Sequence, residues 1–454
     1  AAQIYFGKPL KDLSIAEAAM LAGLPKAPSA FNPVVNPKRA SLRQQYVLRR
    51  MHELGFIDAK QHEAALKQAL VVKRETNEYA VHAEFVAEMA RQMAAERFPE
   101  DVYTRGLRIY TTILKDDQEA AYISLRRGVL DYDRRHGYRG AEAYVEMTDI
   151  KTEQDEALDV LLQDFHDSED LHPAVVLQAD AKQIRAYRRG GEIITITGDG
   201  LKFSARMIDD KAPPNKRLRR GAVIRVQTDE KNNWRITQMP EVEAAFLSAD
   251  PQNGAIRSLI GGFDFNRNKF NHATQAWRQP GSSFKPFIYS GALEKGFTPA
   301  SIIRDEPISF PASVTGSQAW EPKNYDGKYE GPMRMRTALA KSKNMVSIRL
   351  LQTSGVHFIQ DYITRFGFDA DKHPPYLTMA LGAGSVTPWQ MVTAYAVFAN
   401  SGYLIQPYVV RDIQNEKGQV LAAAQPVTAG DDSLRAIDPR NAYLMDSMLR
   451  DVTI

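Results

Sequence analysis

The sequence predicts a multidomain protein with a helical front, a small β-barrel in the middle and an α/β rear. Residues 1–75 show helical periodicity and no strand pattern, whereas about 145–240 hold short alternating segments separated by Gly, Asp and Asn turns. From residue 241 onward, a hairpin pattern is followed by several helical stretches. A chain of 454 residues has room for two to four such domains.

The front of the chain has the pattern of consecutive helices. Ser14 stands three residues before Glu17, ahead of the apolar run AAMLAGL, which is the spacing of a helix capping box. The prolines between residues 24 and 37 exclude a continued helix, so an extended connector is expected there. Two further helices are predicted, one within 37–57 and one over 58–70.

The middle of the chain changes from helices to strands. Helices are predicted over 82–97 and 119–133, with a first strand over 105–113 between them. The basic run Lys211 to Arg220 is predicted to be a loop, either solvated or a docking surface for an acidic partner. A small barrel of the oligonucleotide/oligosaccharide-binding (OB) type is predicted from five strands, PAVVLQAD, IRAYRR, EIITITG, AVIRVQTD and NWRITQM.

The rear of the chain opens with a hairpin and continues with helices. EAAFLSADP and GAIRSLIGG flank Asn253-Gly254, a strong hairpin turn signal. Helices are then predicted over 284–295, 335–352, 357–366 and 389–399.

Composition excludes several classes of function. The net charge of +3 implies no polyanion, so no nucleic-acid partner is expected. The absence of cysteine excludes thiol nucleophiles, Cys-ligated zinc and disulfides, and it fits both cytoplasm and periplasm. The nine histidines show no metal-ligand spacing, so neither a metal nor another cofactor is predicted. Residues 1–75 carry twelve Lys and Arg against six Asp and Glu, which fits either an anionic membrane surface or chance.

The stretch RQPGSSFKPF places Ser282 three residues before Lys285. On a helix this spacing puts the hydroxyl and the amine on one face, about one turn apart. Lys285 could activate the serine as a general base if burial or a cationic neighbour lowers its pKa. The alternative is that Ser282 caps a helix and Lys285 is a solvated surface residue.

A second pair of polar residues follows in ALAKSKN. Ser342 could relay a proton between Lys285 and a leaving amine, and Asn344 could donate to a substrate carbonyl. Capping and turn formation are the structural alternative for both residues.

Three blocks together, RQPGSSFKPF, WEPKNYDGKYEGPMRMRTALAKSKN and LGAGSVTPWQMVTAYAVFANSGY, resemble the class A penicillin-binding proteins. Their motifs are a recognised signature of that superfamily rather than a deduction from spacing. The front end, including Arg43 and the pair Val47-Leu48, is similar to the last part of the family's glycosyltransferase lobe. The likeness covers most of the chain, is weakest over about 145–240, and is greatest for the 1A type of Gram-negative bacteria.

The resemblance implies a role for each matching residue. Ser282 would be the acyl-accepting nucleophile, Lys285 the general base and Ser342 the proton shuttle. Asn344 would bind the amide of the donor peptide. Further substrate-cleft positions, with packing or tight backbone geometry as the alternative, would be Trp320, Asn324, Tyr325, Gly382 and Gly384.

The resemblance also implies the fold class. It would combine an α-helical, lysozyme-like glycosyltransferase remnant, a small OB-like β-barrel insert and an α/β transpeptidase domain like that of penicillin-binding proteins and β-lactamases. The expected parts are the end of the glycosyltransferase (1–75), a helical linker (76–105), the start of the transpeptidase (106–144), the insert (145–240) and the rest of the transpeptidase (241–454).

Two family features are not found in the sequence. The third transpeptidase motif, Lys-Thr-Gly or Lys-Ser-Gly, is expected beyond Ile454, and the glycosyltransferase glutamate is expected before Ala1. Glu17 and Glu53 are not assigned that role, because both fit a helix surface. We therefore expect a piece of a longer bifunctional synthase, which need not be active or fully folded in isolation.

The implied function is crosslinking of peptidoglycan stem peptides through an acyl-enzyme on Ser282. The expected partners are stem peptides and glycan strands, with β-lactams as covalent inhibitors. The resemblance also implies a periplasmic location, an inner-membrane anchor outside this chain and an outer-membrane lipoprotein activator at the insert. The alternatives are a non-catalytic penicillin sensor or scaffold, and a partner- or glycan-binding module centred on Lys216, Arg217, Arg219 and Arg220.

Overall fold

The computed structural model describes residues 1–28, 31–34, 37–70, 72, 81–148, 150, 157–312 and 318–453. The chain divides into two compact units. One consists of Ala1–Ala80 and Arg134–Met239, and the other of Val81–Asp133 and Pro240–Ile454. The expected boundary at residues 75 and 76 lies outside the described residues.

The helices and strands are numbered in chain order. The α-helices are α1 (Ala2–Phe6), α2 (Ile15–Gly23), α3 (Pro37–Glu53), α4 (Ala59–Lys67), α5 (Glu84–Arg97), α6 (Lys115–Arg135), α7 (Ala157–Leu161), α8 (Ala205–Ile208), α9 (Lys285–Glu294), α10 (Met335–Ala340), α11 (Asn344–Ser354), α12 (Val356–Tyr362), α13 (Pro388–Ala399) and α14 (Pro439–Arg450). The strands are β1 (Arg108–Thr111), β2 (Ala143–Tyr144), β3 (His172–Ala179), β4 (Gln183–Arg188), β5 (Glu192–Thr197), β6 (Ala222–Thr228), β7 (Trp234–Thr237), β8 (Phe246–Ala249), β9 (Ile256–Ile260), β10 (Ile302–Asp305), β11 (Gly331–Arg334), β12 (Val410–Gln414) and β13 (Val420–Ala423).

In the first unit, α2 begins with the predicted capping box. The Ser14 hydroxyl accepts from the backbone N–H of Glu17, and the Glu17 carboxylate accepts from that of Ser14 at 2.8 Å. Glu17 is buried and also accepts from the ammonium of Lys8, so the surface role expected for it is wrong. The side chains of Ser14 and Glu17 thus satisfy two backbone N–H groups at the start of α2.

The β-part of the first unit forms one six-stranded antiparallel sheet. Strand β6 pairs with β3 on one edge and with β2 and then β7 on the other, while β4 and β5 extend the sheet from β3. Strand β5 returns beside β7, so the sheet curls towards a barrel. The five predicted strands are therefore confirmed. Their inward side chains form a buried core that includes Val176, Ile184, Ile194, Ile224 and Ile236.

In the second unit, β8 and β9 form the predicted hairpin. They pair antiparallel, and Gly254 has a φ of 76°, which glycine adopts without steric cost. Strand β9 is also held from its other edge, where its Ile256 N–H donates to the Tyr408 carbonyl at 3.0 Å. A second sheet has the order β1-β12-β13.

Helix α9 lies in the core of the second unit. Its first eight residues, Lys285 to Ala292, are all buried. Its buried hydroxyl, Ser290, contacts Tyr362 and Asn441, each at 2.9 Å, which ties α9 to α12 and α14. This packing fixes the helix that follows Ser282.

The single helix predicted over 335–352 is wrong. The structure has α10 and α11, separated by three residues of which Ser342 has a φ of 51°. A left-handed residue ends a helix, and no glycine or proline in the sequence marked the break.

The polypeptide leaves and re-enters the second unit at neighbouring points. The Glu241 N–H donates to the Asp133 carboxylate at 3.4 Å. In the first unit, Arg139 binds both the side chain of Gln238 and the carbonyl of Met239. In each unit, therefore, the residues next to the two ends of the segment 134–239 are in contact with each other.

Candidate active site

Ser282 lies in a 3-10 turn, Gly281–Phe284, that runs directly into α9. Its side chain is exposed, and within the described part of the chain its hydroxyl makes no hydrogen bond. The neighbouring Ser283 differs, because its hydroxyl donates to the Pro280 carbonyl at 2.6 Å. Of the two serines, Ser282 therefore has the hydroxyl that is available to react. It lies just before the N-terminus of α9, where backbone N–H groups and the helix dipole favour developing negative charge.

Lys285 is almost fully buried, with 1% of its surface exposed. Its Nζ lies 2.7 Å from the Ser342 carbonyl oxygen, 2.7 Å from Asn344 Oδ1 and 3.0 Å from Ser342 Oγ. Burial lowers its pKa from 10.5 to about 8, because an ammonium in the interior loses its hydration. The solvated-lysine alternative is wrong for this residue.

The contacts of Lys285 suit a neutral amine. The Ser342 carbonyl and Asn344 Oδ1 only accept, and a neutral amine has two N–H groups to offer them. The third contact, to the Ser342 hydroxyl, can run in either direction because a hydroxyl both donates and accepts. The amine and the hydroxyl are thus close enough to exchange a proton.

Ser342 occupies the left-handed position of a Schellman motif at the end of α10. Its own N–H donates to the Leu339 carbonyl, and the N–H of Lys343 donates to the Ala338 carbonyl, each at 2.9 Å. This position is usually glycine, and a side chain there costs about 1–2 kcal/mol. The strained turn directs both the carbonyl and the hydroxyl of Ser342 at the same lysine.

Asn344 begins α11 and is held on three sides. Its Oδ1 faces Lys285, and its Nδ2 donates to the Lys323 carbonyl at 2.8 Å. Its backbone N–H donates to Asn324 Oδ1, also at 2.8 Å. One N–H of the side-chain amide is left for another acceptor.

The other predicted cleft residues differ in exposure. Asn324 is buried and caps α11, whereas Tyr325 beside it is fully exposed. Trp320 is partly buried, and its backbone pairs with that of Phe310 while their rings stack at 5.5 Å. Of these, the structure brings Asn324 into direct contact with the Ser342–Asn344 segment.

At both predicted glycines, a side chain would collide with neighbouring atoms. A Cβ on Gly382, whose φ is 72°, would lie 2.1 Å from the Gly281 carbonyl oxygen. A Cβ on Gly384 would lie 2.1 Å from Nδ1 of His373. Gly382 therefore backs the turn that carries Ser282.

Sequence reasoning missed His373. It is 1% exposed, its ring stacks at 4.7 Å on Phe284, and neither ring nitrogen has a partner among the described residues. Burial lowers its pKa to about 4. The sequence carries no signal for this contact, because the residue lies 89 positions after Phe284 and in a loop.

Within the ranges that the structure describes, there is no group of three or more His, Cys, Asp or Glu that could hold a metal. In the same residues, no helix has both the length and the apolar character needed to cross a bilayer.

Three family models match the chain. Residues 1–52 match the transglycosylase, 138–242 the penicillin-binding protein OB-like domain, and 244–454 the penicillin-binding protein transpeptidase domain. The α-helical, OB-like and α/β parts predicted from the sequence are therefore confirmed as the fold class.

Curated relatives carry the name penicillin-binding protein 1A. That of Neisseria lactamica is 46% identical over 455 residues, covering 100% of this chain and 56% of the relative. That of Pseudomonas aeruginosa is 43% identical over 432 residues, covering 94% of this chain and 52% of the relative. The chain thus spans about half the length of the curated relatives that it matches.

A solved structure extends the comparison to the fold. Penicillin-binding protein 1A from Haemophilus influenzae superposes with a TM-score of 0.82 at 36% identity, covering 99% of this chain and 69% of that chain. This agreement, together with the three matched domains and the geometry around Ser282, confirms the resemblance in the motifs: the chain belongs to the penicillin-binding protein 1A family.

Proposed function

We propose that this chain carries the serine D,D-transpeptidase of a bifunctional peptidoglycan synthase. The observation that carries the proposal is the buried Lys285, which contacts Ser342 and Asn344 one helical turn from the exposed Ser282. A buried amine with a pKa of about 8 is neutral in roughly a tenth of molecules at pH 7, enough to act as a base.

In the first half-reaction, Ser282 Oγ attacks the carbonyl between two D-alanines of a stem peptide. Lys285 takes the hydroxyl proton, and Ser342 passes a proton to the leaving amine as the C–N bond breaks. D-Alanine leaves and an ester to Ser282 remains. Asn344, with its spare N–H, is the proposed donor to an amide carbonyl of the peptide.

In the second half-reaction, an amine from a neighbouring strand attacks the ester carbonyl. The amine loses a proton, the C–O bond to Ser282 breaks and the hydroxyl regains its proton. The product is a new amide crosslink. A β-lactam acylates the same oxygen when its ring opens.

The exposed Tyr325 and the partly buried Trp320 are proposed to line the donor cleft, with Asn324 holding Asn344 in place. Gly382 and Gly384 are proposed to shape the backbone beside the nucleophile. The roles of Asn324 and Gly382 rest on their contacts with Asn344 and Gly281. Those of Trp320, Tyr325 and Gly384 rest on the match of their sequence blocks to the family.

The test is covalent labelling of the intact protein with a fluorescent penicillin. Ser282→Ala is expected to abolish labelling, because no oxygen remains to be acylated. Ser283→Ala is the matched control, since it removes an adjacent exposed hydroxyl and is expected to label within twofold of wild type. Labelling that persists in Ser282→Ala and disappears in Ser283→Ala would move the nucleophile to the neighbouring residue.

The wider setting is also proposed. Residues 1–52 match the transglycosylase model, which supports a parent protein that polymerises glycan strands from lipid II. We place that parent in the periplasm, anchored to the inner membrane outside this chain.

A partner surface on the insert is a second candidate. Lys216, Arg219 and Arg220 are exposed in the loop after Lys211, which favours docking of an acidic partner such as an outer-membrane lipoprotein activator. The test is binding of that partner to wild type, to Ser282→Ala and to a variant with Lys216, Arg217, Arg219 and Arg220 neutralised. Binding that survives the first change and fails with the second supports the surface.

A further inference from the structure

Lys343, the residue between Ser342 and Asn344, is buried with 2% of its side chain exposed. Its ammonium contacts three carboxylates, lying 3.1 Å from Asp326, 3.1 Å from Glu330 and 3.4 Å from Asp305. These contacts raise the pKa of Lys343 despite its burial, which favours the neutral form. Lys343 is therefore held as a buried cation.

The carboxylates around Lys343 belong to two segments. Asp305 ends β10 and is fully buried, and it also accepts from the Asn324 side chain at 2.7 Å and from the Glu330 N–H at 3.0 Å. Asp326 and Glu330 lie in the loop that precedes β11. Lys343 also donates to the Lys328 carbonyl in that loop at 3.3 Å.

The same loop holds the catalytic turn from the other side. The Lys323 carbonyl and the Asn324 side chain both bind Asn344, as described above. The segment 323–330 thus touches both residues that follow Ser342. It also carries the fully exposed Tyr325 towards solvent beside them.

We propose that Lys343 is a positioning residue, which locks the left-handed turn at Ser342 and tethers segment 323–330 against it. The inference rests on the proposed transpeptidase function. A Schellman turn usually has an apolar residue at this position, which packs back on the helix. Here that contact is replaced by a buried ion cluster, which holds a non-glycine residue in a strained conformation and keeps its hydroxyl on Lys285.

Lys341 provides a matched control. It lies two residues earlier on the same turn, is half exposed, and pairs with the same Glu330 carboxylate at 2.6 Å. Replacing either lysine by methionine removes one positive charge from the cluster. Only Lys343→Met removes the buried contact to Asp305 and Asp326.

The experiment measures two quantities in the intact protein. The first is the acylation rate constant for penicillin per titratable active site, which excludes any loss of folded protein. The second is the rate of trypsin cleavage after Lys323 and Lys328, both exposed in the tethered segment. We expect Lys343→Met to lower acylation at least tenfold and to raise cleavage at least fivefold, with Lys341→Met within twofold of wild type in both.

Equal behaviour of the two methionine variants, or faster cleavage with unchanged acylation per site, would overturn the proposal. If Lys343→Met does not fold, Asp326→Asn removes the half-exposed partner alone and is expected to raise cleavage about threefold. Cleavage does not depend on catalysis. A wild-type protein that fails to acylate would therefore count against the proposed function, while the cleavage ratio still tests the tether.

Discussion

At the scale of single residues, the site is governed by what burial does to two basic side chains. Lys285 and His373 are each 1% exposed, and each has its pKa lowered by the loss of water. One makes three polar contacts and the other none within the described residues. The first is suited to proton transfer, and the second is expected to make the fold sensitive to acid.

Acylation is expected to rise with pH as Lys285 loses its proton. The apparent pKa should be about 8, so the rate at pH 9 should exceed that at pH 7 by roughly tenfold. Lys285→Arg should lower the rate more than a hundredfold and flatten the profile, because arginine stays protonated. Stopped-flow acylation across pH 6 to 10 measures both effects.

Lys295→Arg is the control for this series, since Lys295 is an exposed lysine at the other end of α9. It should keep the wild-type profile. A Lys285→Arg protein that is acylated at the wild-type rate would remove this lysine from the role of base.

Acid is expected to destabilise the protein through His373. The folded state binds the proton only near pH 4, whereas the unfolded chain binds it near pH 6.5, so stability falls as pH drops through this window. The loss between pH 7 and pH 4.5 should be about 2 kcal/mol. Between these two pH values, the free energy of unfolding of His373→Met should fall by about 2 kcal/mol less than that of wild type. Denaturant unfolding at both pH values measures the difference.

The exposed His357 on α12 is the matched histidine. His357→Met should follow the wild-type pH dependence. A His373→Met protein with the same acid sensitivity as wild type would show that this ring does not control it.

At the scale of elements, the sequence predicted most helices and strands, but it offered the turn at Ser342 only as an alternative to a continuous helix over 335–352. Ser14 and Asn253-Gly254 carry local signals, which identified a capping box and a hairpin. Ser342 carries none, because its left-handed backbone is imposed by Lys343 and its distant partners. Recognised motifs identified Ser282, Lys285, Ser342 and Asn344 as candidates. The contact of Asn324 with Asn344 spans 20 residues, so only the three-dimensional structure could reveal it.

Gly382 and Gly281 form a matched pair at the turn that carries Ser282. Both have positive φ, at 72° and 58°, but only a Cβ on Gly382 meets backbone atoms. Gly281→Ala should cost about 1 kcal/mol of backbone strain. Gly382→Ala should cost about 3 kcal/mol, since overpacking is added, and should also slow penicillin acylation.

Unfolding curves and labelling rates of the two alanine variants provide the measurement. The idea of a close approach would be abandoned if Gly382→Ala were no less stable than Gly281→Ala.

At the scale of the whole molecule, one part of the first unit, Arg134–Met239, interrupts the second unit along the chain. The second unit is built from Val81–Asp133 and Pro240–Ile454, and its two ends at the interruption meet where Glu241 binds Asp133. Segments inserted between adjacent ends are tolerated because they do not strain the host. The second unit should therefore not need the inserted segment to fold.

Replacing residues 134–239 by a Gly-Ser-Gly linker in the intact protein is expected to leave penicillin labelling within threefold of wild type. The short linker suffices because Asp133 and Glu241 are in hydrogen-bond contact. The same excision carrying Ser282→Ala should be silent, which controls for non-specific labelling. Aggregation or loss of a cooperative melt would show instead that the insert supports the second unit.

The inserted segment also delays the pairing of strands in the second unit during synthesis. Strand β1 pairs with β12, whose residues are made about 300 positions later, so at 5–20 residues per second the ribosome needs roughly 15 to 60 s to supply the partner. The insert lies between them and can close its own sheet in that interval. The apolar face of α5 stays uncovered until later residues emerge. Phe85 and Val86 pack with residues of β9, and Ala90 and Ala94 pack with residues of β12. A partly synthesised chain should therefore expose this apolar face to aggregation until those strands are available.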